Sequence, residues 1–372
     1  MTTGKRLIGL ALGAAAGAAA VWAVKDLPAQ LGGEPTAGER GQRVRHSPQF
    51  RDGKFRNMTP STVAPASSMP KIIREFLRGG EARKPRQAIP LVTTVGEPAA
   101  TDERSLHITW YGHASALVEI ENCRVLIDPV WSDRVSPTPA VGPARLHPPP
   151  VSLDELGPVD AVVISHDHYD HLDLATIKAL AADEVTTFLV PLGVGAHLEH
   201  WGVAADRIAE LDWDESATVA GVRFTITPAR HFSGRGLTRD NTLWGSWVIA
   251  GETRRLFYSG DTGYFDGFAR IGAEYGPFDA SLIQVGAYNE NWADIHMMPE
   301  DALTAHLDVR GGLLIPVHWC TFVLALHDWS EPVERLWRDA KERDVTLAVP
   351  RPGERVDVDN PPEVNPWWQP IA

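Results

Sequence analysis

The sequence predicts an α+β fold in which two β-sheets pack face to face and helices cover the outside, a four-layer αββα arrangement. Two observations predict it. Apolar runs typical of buried strands recur along the chain, and several of them end in an acidic or imidazole side chain. Strands and helices also alternate in two repeated halves. We therefore expect the ends of these strands to converge on one edge of the sandwich.

The most informative stretch spans residues 164–173, where three histidines and several carboxylates occur within ten residues. An apolar run over residues 159–164 precedes it, and a helical pattern over residues 174–180 follows. Because Val and Ile suit a strand that is covered on both faces, the cluster is expected in the loop at the carboxyl end of a buried strand. Ligand-binding and catalytic groups collect at such ends.

The spacing within this stretch indicates a metal site. His166 and His168 are two residues apart, so they point the same way in an extended chain. Asp170 and His171 follow after a turn and can aim at a second point nearby. Imidazole nitrogens and carboxylate oxygens are the ligands expected for zinc-like ions. One loop can thus supply two ligands to each of two adjacent metals.

Three later strands end in residues of the same kind. His231 and His318 each follow an apolar strand, and Asp261 lies between glycines that permit a tight turn. Taken singly, each residue is as well explained by a structural role. Four strand ends of this type in one chain are hard to explain without a binuclear site.

The pattern His-x-His-x-Asp-His is the signature of the metallo-β-lactamase fold superfamily, which the chain therefore resembles. Flanking segments narrow the resemblance to the N-acyl-phosphatidylethanolamine-hydrolysing phospholipase D family. They are residues 164–173, 243–247, 260–264, 286–288, 296–300 and 318–322. The resemblance covers about residues 44–345, and it also implies the four-layer sandwich.

The resemblance implies a ligand set of seven residues for two zinc ions. The first ion would be held by His166, His168 and His231. The second would be held by Asp170, His171 and His318, with Asp261 bridging the two.

The resemblance also implies the reaction. Water would attack the phosphodiester phosphorus and release phosphatidic acid and an N-acylethanolamine. Asp170 would hold the attacking hydroxide in line, besides ligating. His296 would be a catalytic, non-ligand histidine over the substrate phosphate, and Tyr288 would line the substrate pocket.

For several neighbouring residues the sequence leaves two roles open. His113 either orients another group of the centre or is a structural histidine, and Asp128 likewise is either a supporting or a structural residue. Asp173 either orients a ligand histidine or caps the following helix. Asp167 and Tyr169 lie inside the motif but are expected to point away from the metals.

Composition limits the function classes. The 372-residue chain carries a net charge of −13, which disfavours general nucleic-acid binding and electrostatic capture by anionic lipid. Its two cysteines, Cys123 and Cys320, form no disulfide framework. Cys320 is expected to be a small buried residue. The resembled family usually has Gly there, so its side chain could narrow the pocket.

The chain divides into four predicted parts. Residues 1–24 carry Lys5 and Arg6 before eighteen uncharged residues, a pattern of an uncleaved membrane anchor or of a secretory signal. We expect an anchor with the enzyme on the extracytoplasmic side, or a secreted or periplasmic enzyme if the segment is cleaved. Residues 25–104 are predicted as a linker and N-terminal arm, 105–345 as the hydrolase domain and 346–372 as a tail.

Two details of the arm are predicted. Residues 25–60 are rich in Gly, Pro and polar residues and are expected to have little structure of their own. Residues 70–79 have helical apolar spacing, and that helix either packs on the core or lines an acyl groove.

Three interpretations of function follow. The first is a binuclear-zinc phospholipase D-type phosphodiesterase acting on N-acyl-phosphatidylethanolamine or a similar phospholipid, with a homodimer as one candidate state. The second is a metal-dependent hydrolase of another ester, lactone or sugar phosphate, because the fold alone does not choose the substrate. The third is a non-catalytic membrane-tethered scaffold, which a degenerate ligand set would indicate. All seven ligand positions are filled.

Overall fold

The computed structural model describes residues 26–62, 66–78, 82–94 and 104–372. Within these ranges the helices are α1 Leu27–Leu31, α2 Gly38–His46, α3 Met69–Arg78, α4 Leu153–Leu156, α5 Leu174–Ala181, α6 Gly195–His200, α7 Gly267–Glu274, α8 Pro299–Asp308 and α9 Glu331–Glu342. The strands are β1 Phe50–Arg51, β2 Lys54–Phe55, β3 Leu106–Gly112, β4 Ser115–Ile120, β5 Cys123–Ile127, β6 Ala161–Val163, β7 Thr187–Pro191, β8 Ile208–Leu211, β9 Ser216–Val219, β10 Val222–Thr227, β11 Ser246–Ala250, β12 Arg255–Tyr258, β13 Phe278–Gln284, β14 Gly311–Val317 and β15 Arg355–Asp357.

The strands form two large sheets and one short hairpin. The seven-stranded sheet has the order β15-β3-β4-β5-β6-β7-β8, and the six-stranded sheet has the order β14-β13-β12-β11-β10-β9. Both sheets are mixed. Strands β5 to β8 are parallel, as are β12 to β14, and the remaining neighbours in the two sheets are antiparallel.

Period-two alternation explains why the seven-stranded sheet is covered on both faces. On β4, Ala116 and Val118 belong to the core between the sheets, whereas Leu117 belongs to a second apolar cluster. That second cluster also contains Ile177 of α5 and Leu198 of α6. Successive side chains of a strand point to opposite faces, so one strand serves both apolar layers.

The six-stranded sheet is covered in the same way. Helix α8 contacts β13 and β14 and lies between α7 and α9. Two sheets therefore pack face to face with helices outside each of them, and the predicted α+β sandwich is confirmed.

The expectation that residues 25–60 have little structure of their own is wrong for residues 26–60. They contain α1, α2 and the hairpin β1–β2, and Phe55 is 1% exposed. Arg40 pairs with Glu199 and Glu210 of the main body. These partners lie about 160 residues away in sequence, so local composition carries no sign of them.

The interpretation of residues 346–372 as a tail also needs correction. Strand β15 pairs antiparallel with β3 and completes the edge of the seven-stranded sheet. Trp367 and Trp368 are buried, and the Trp367 ring stacks at 5.5 Å on that of Trp319. A three-residue strand and two isolated aromatic residues have no periodicity, so the sequence pattern did not predict their packing.

The predicted arm helix is observed as α3, although residue 79 lies outside the described residues. No helix within the described ranges is long and apolar enough to cross a bilayer. The predicted anchor, residues 1–24, falls outside those ranges.

Candidate metal centre

All seven predicted ligands meet at one edge of the sandwich. Strands β6, β10, β12 and β14 end there, and the ligands lie on the four loops that follow these strands. Strands β10, β12 and β14 run in the same direction within their sheet, so their carboxyl ends share an edge. The fold therefore brings together residues that are up to 152 positions apart, namely His166, His168, Asp170, His171, His231, Asp261 and His318.

These side chains form two groups that could each hold a metal ion. His166, His168 and His231 form the first group. Their ring nitrogens converge, with His168 Nδ1 at 2.8 Å from His166 Nε2 and 3.3 Å from His231 Nε2. The second group contains Asp170, His171 and His318, and His113 joins it.

The carboxylate of Asp261 lies between the two groups. Its Oδ2 is 3.0 Å from His318 Nε2 and 3.2 Å from His171 Nε2. The same oxygen is 4.0 Å from His166 Nε2 and 3.9 Å from His231 Nε2. A carboxylate at this position can reach ligands of both groups, which is what a bridging role requires.

The donor set fits divalent metal ions. His171 Nε2, His318 Nε2 and Asp261 Oδ1 are buried and have no hydrogen-bond partner within the described residues. Buried polar atoms normally have a hydrogen-bond partner. Three unpaired atoms close together therefore indicate that these atoms bind a ligand such as a metal ion. Imidazole nitrogens with carboxylate oxygens are the ligands that zinc prefers.

Hydrogen bonds on the far side of the rings orient them. His171 Nδ1 lies 2.6 Å from Asp128 Oδ2, and His231 Nδ1 lies 2.9 Å from the carbonyl oxygen of Ile295. With Nδ1 engaged, Nε2 of each ring faces the centre. Metal-bound histidines are commonly held by such outer partners, and Asp128 is therefore a supporting residue of the site.

His113 supports the second group. Its Nε2 lies 3.0 Å from Asp170 Oδ2, and its backbone N–H donates to Thr321 Oγ1 at 2.7 Å. Of the two roles left open for His113, the geometry favours orienting Asp170. Burial lowers the pKa of His113 to about 3, so its ring is neutral near pH 7.

The electrostatics of the centre keep its carboxylates ionised. Burial favours the neutral acids, but the neighbouring histidines together, His171 foremost, outweigh it, and the pKa values of Asp170 and Asp261 lie well below the usual range. Burial lowers the pKa of His296 to about 4. The centre therefore presents anionic oxygens and a neutral His296 at neutral pH.

His296 lies next to His231 and Asp261 at the centre. Its Nδ1 is 4.0 Å from Asp261 Oδ2, and its ring centroid is 5.1 Å from that of His231. Nδ1 has no hydrogen-bond partner among the described residues. The structure therefore places His296 where it can contact a substrate.

Tyr288 is hydrogen-bonded to residues outside the two ligand groups. Its hydroxyl donates to Glu331 at 2.6 Å and accepts from Arg335 at 3.2 Å. Its ring stacks on His327, and the residue is 5% exposed. The predicted role of Tyr288 in binding substrate stays a prediction.

The remaining motif residues fix the loop. Asp167 accepts hydrogen bonds from Gly234 and Thr242, so it does not join the metal-binding groups. Tyr169 donates to the carbonyl of Arg235, also outside them. Asp173 accepts from the backbone of Ala175, and this capping settles its role at the start of α5.

Several residues around the centre have a left-handed backbone conformation. His318, Cys320 and Ala287 have positive φ values of 67°, 69° and 61°. Residues other than Gly rarely adopt this conformation, and such strain collects at functional sites. At Gly260 (φ 57°) a Cβ would lie 2.8 Å from the carbonyl oxygen of Gly245, so only glycine fits before Asp261.

Sequence reasoning missed Asn57 and Arg235. The Asn57 carboxamide binds the backbone of His231, and Arg235 Nη1 donates to the carbonyls of Asp167 and Leu172. Both residues lie in segments without a strand or helix pattern. Asn57 belongs to a stretch that resembles the family's N-terminal arm, which was the one signal available.

The comparison with family models decides the family. Residues 123–319, more than half of the chain, match the model described as the β-lactamase superfamily domain. The chain belongs to the metallo-β-lactamase superfamily. Since its relatives include metal-dependent hydrolases and the His/Asp groups are in place, this superfamily member is a metal-dependent hydrolase.

Curated relatives show which members of the superfamily this chain is similar to. An uncharacterized protein of Mycobacterium tuberculosis is 50% identical over 373 residues, covering 98% of this chain and 99% of that protein. N-acyl-phosphatidylethanolamine-hydrolyzing phospholipase D 1 of Caenorhabditis elegans is 38% identical over 269 residues, covering 68% of this chain and 76% of that protein. The predicted resemblance to this phospholipase D family is confirmed.

Solved structures agree on the fold. A metallo hydrolase from the archaeon Ignicoccus hospitalis superposes with a TM-score of 0.54 at 22% identity, covering 68% of this chain and 98% of that chain. An isothiocyanate hydrolase from Delia radicum gut bacteria gives a TM-score of 0.55 at 20% identity, covering 67% and 98%. At these identities the likeness concerns the sandwich alone.

Proposed function

We propose that this superfamily member is a binuclear-zinc phosphodiesterase of the phospholipase D type. Its substrate would be N-acyl-phosphatidylethanolamine or a similar phospholipid. The observation that carries the proposal is the placement of Asp261 between two groups of three ligands each. The 38% identity to the nematode phospholipase D supports the lipid class.

The reaction balances as a hydrolysis. The oxygen of water forms a bond to phosphorus, and the bond from phosphorus to the N-acylethanolamine oxygen breaks. That leaving oxygen receives a proton, so the products are phosphatidic acid and an N-acylethanolamine. When bound, two divalent ions would lower the pKa of an attacking water and offset the charge that builds on the phosphoryl oxygens.

The chain's own residues orient these events. Asp170 is held by His113, so one carboxylate oxygen has a fixed position within the second group. Asp128 fixes the ring of His171 through Nδ1. Orienting groups of this kind keep the ligands in reaction geometry without moving during catalysis.

His296 is the residue proposed to contact the substrate. Its Nδ1 is unpaired among the described residues and lies 4.0 Å from Asp261 Oδ2. A neutral imidazole offers one N–H donor, which can bond a phosphoryl oxygen. His296 can therefore hold the phosphodiester over the two groups of ligands.

A substrate panel tests the proposal. The full chain in detergent micelles with zinc would receive N-acyl-phosphatidylethanolamine, phosphatidylethanolamine, a model phosphodiester and a lactone, with Asp261→Ala as control. Release of N-acylethanolamine that the control lacks supports the proposal. Turnover of the lactone alone would support a catalytic metal centre and would contradict a phospholipid substrate. No turnover with metal bound rejects the phosphodiesterase and favours a scaffold.

We further propose that the N-terminal segment holds the enzyme at a membrane, on the extracytoplasmic side. Helix α1 begins directly after the predicted anchor. Leu31 of this helix and the fully exposed Leu237 line one cavity of about 820 Å³, so apolar side chains are exposed beside α1.

Flotation with lipid vesicles tests this proposal. The full chain should float with them, and removal of residues 1–24 should abolish or strongly weaken flotation. A stronger loss for Leu237→Glu than for Val185→Glu, an exposed apolar residue elsewhere, would support contact of this face with lipid. Unchanged flotation after removal of residues 1–24 would contradict the anchor.

A further inference from the structure

A second cavity adjoins the metal centre, and its chemistry differs from that of the centre. It has a volume of about 420 Å³ and lies between the arm hairpin and the loop after β10. Phe55, Arg56 and Asn57 contribute one wall, and His231, Phe232 and Arg239 contribute the other. We call it the arm cavity. Cavities of several hundred cubic ångströms are of the size that holds small ligands.

The arm cavity lies beside the metal centre, and two neighbouring residues contact both. His231 belongs to the first ligand group and also lines the cavity. The ring of Phe232 lies 4.5 Å from that of His168 and 4.8 Å from that of His231, measured between centroids. The arm cavity therefore lies directly behind residues of the first ligand group.

The arm cavity carries two arginines without a firm anionic partner. Arg239 lies with its guanidinium 5.1 Å from the centroid of the Phe232 ring and forms no ion pair within the described ranges. Among the residues that the structure describes, Arg56 forms an ion pair with Asp52 alone, at 4.0 Å and on the exposed surface. The carboxylate of Asp240, which also lines the cavity, is 3.8 Å from Lys54. Positive charge therefore exceeds negative charge in this cavity, although the whole chain carries −13.

We propose that the arm cavity is a subsite for a second anionic group of the substrate, held by Arg56 and Arg239. This inference rests on the proposed phosphodiesterase function, because the metal centre would hold the scissile phosphodiester itself. The group would be a phosphate or similar oxyanion on the alcohol that stays esterified to phosphorus, so the substrate would be one of the similar phospholipids. Arginine suits it because the planar guanidinium binds oxyanions through two parallel hydrogen bonds. Arg56 and Arg239 both line the cavity, so either can contribute to binding.

The cavity floor is fixed, which a binding subsite requires. Asn57 uses its whole carboxamide on His231, Trp244 and Ser61, so it holds the two walls together and does not itself bind the anion. The indole of Trp244 is buried beneath. Recognition then falls to the arginines at the mouth, whose side chains are free to close on a ligand.

Kinetics with a matched pair of model substrates test the proposal. p-Nitrophenyl ethyl phosphate and p-nitrophenyl 2-(phosphonooxy)ethyl phosphate differ only in a distal phosphate and release the same product. For the zinc-loaded full chain we expect KM about tenfold lower for the compound with the distal phosphate. Arg56→Gln and Arg239→Gln should each remove most of this difference, with kcat and KM for the ethyl ester within about twofold of wild type.

Arg51→Gln is the matched control, since Arg51 is exposed on the same hairpin but does not line the cavity. Equal KM values for the two diesters, or equal effects of all three substitutions, would overturn the subsite while the phosphodiesterase stands.

If neither diester reacts, the proposed function fails, and calorimetric titration with glycerol 3-phosphate decides the subsite. Binding that weakens about tenfold in Arg56→Gln and Arg239→Gln supports it, and absent or unchanged binding overturns it. If both diesters react with the same KM, the subsite is also overturned, even where glycerol 3-phosphate binds.

Discussion

Asn57 in the N-terminal arm hydrogen-bonds both backbone groups of His231, a residue of the first ligand group. Its Nδ2 donates to the His231 carbonyl at 2.7 Å, and its Oδ1 accepts from the His231 N–H at 3.0 Å. The same Oδ1 accepts from the indole N–H of Trp244 at 3.0 Å. One side chain therefore fixes the position of a ligand from a segment 174 residues away.

Asn57→Ala is expected to weaken metal binding at the first group. The loss of an outer partner of a ligand typically costs 10–100-fold in metal affinity, and we expect about that. Two buried backbone groups also lose a partner, so unfolding should become easier by about 1–3 kcal/mol. Metal content after dialysis against a graded chelator measures the first effect, and urea unfolding measures the second.

Asn360→Ala serves as the control for Asn57, since Asn360 is exposed and bonds only Asp357 among the described residues. It should behave as wild type. Unchanged metal affinity in Asn57→Ala would show that the arm packs against the centre without supporting it.

Asp128→Asn is expected to act on the second group. Asp128 Oδ2 lies 2.6 Å from His171 Nδ1, and Asp128 Oδ1 accepts from the Ser165 N–H at 2.7 Å. An amide holds the imidazole less strongly than a carboxylate, so affinity at this group should fall about 10–100-fold. At limiting metal the stoichiometry should drop from two ions to one. A parallel loss of both ions would contradict the assignment of His171 to one group.

At Cys320, substitution by glycine should leave the protein more stable than substitution by alanine, the reverse of the usual order. It has φ 69°, and the left-handed conformation costs a residue with a Cβ roughly 1–2 kcal/mol. Cys320→Gly and Cys320→Ala both remove the buried thiol, but only glycine relieves the backbone. Cys320→Gly should therefore be about 1 kcal/mol more stable than Cys320→Ala in urea unfolding. The ordinary order, with alanine the more stable, would contradict this reading.

His306 should make the protein sensitive to mild acid. Burial against Ser281, whose hydroxyl lies 2.7 Å from Nδ1, lowers the pKa of His306 to about 4, below the unfolded value of 6.5. The unfolded chain then binds more protons as the pH falls. Stability from this group is complete above pH 6.5 and is lost toward pH 4, by about 1.4 kcal/mol per pH unit.

Urea unfolding of wild type and His306→Asn between pH 7.5 and 5 measures this effect. The variant should show a shallower loss of stability with falling pH. Equal slopes for the two proteins would show that His306 does not contribute.

The ligand positions could be predicted because the first metal-binding residue follows within four residues of the end of each strand. His318 directly follows β14, for example, and its apolar strand is visible in sequence. The supporting residues could not be predicted in this way. Asn57, Arg235 and Arg40 act through contacts with segments 63–174 residues away, and their own neighbourhoods are polar loops or short helices without a marked apolar face.

The same reason applies to the ends of the chain. Strand β15 has three residues, and its pairing with β3 closes the sheet across most of the sequence. Hydrophobic periodicity identifies long elements and gives no partner for short ones. Motif and strand pattern therefore predicted the sandwich and its centre, while the packing of the arm and the last residues required the three-dimensional structure.

The central claim is hydrolysis at phosphorus by this metal centre, and isotope labelling tests it most directly. The zinc-loaded full chain would hydrolyse N-acyl-phosphatidylethanolamine in ¹⁸O-enriched water, and mass spectrometry would locate the label. We predict one ¹⁸O atom in the phosphatidic acid, an unlabelled N-acylethanolamine, and no products with Asp261→Ala. Label in the N-acylethanolamine, or no hydrolysis by protein that holds two metal ions, would contradict the account.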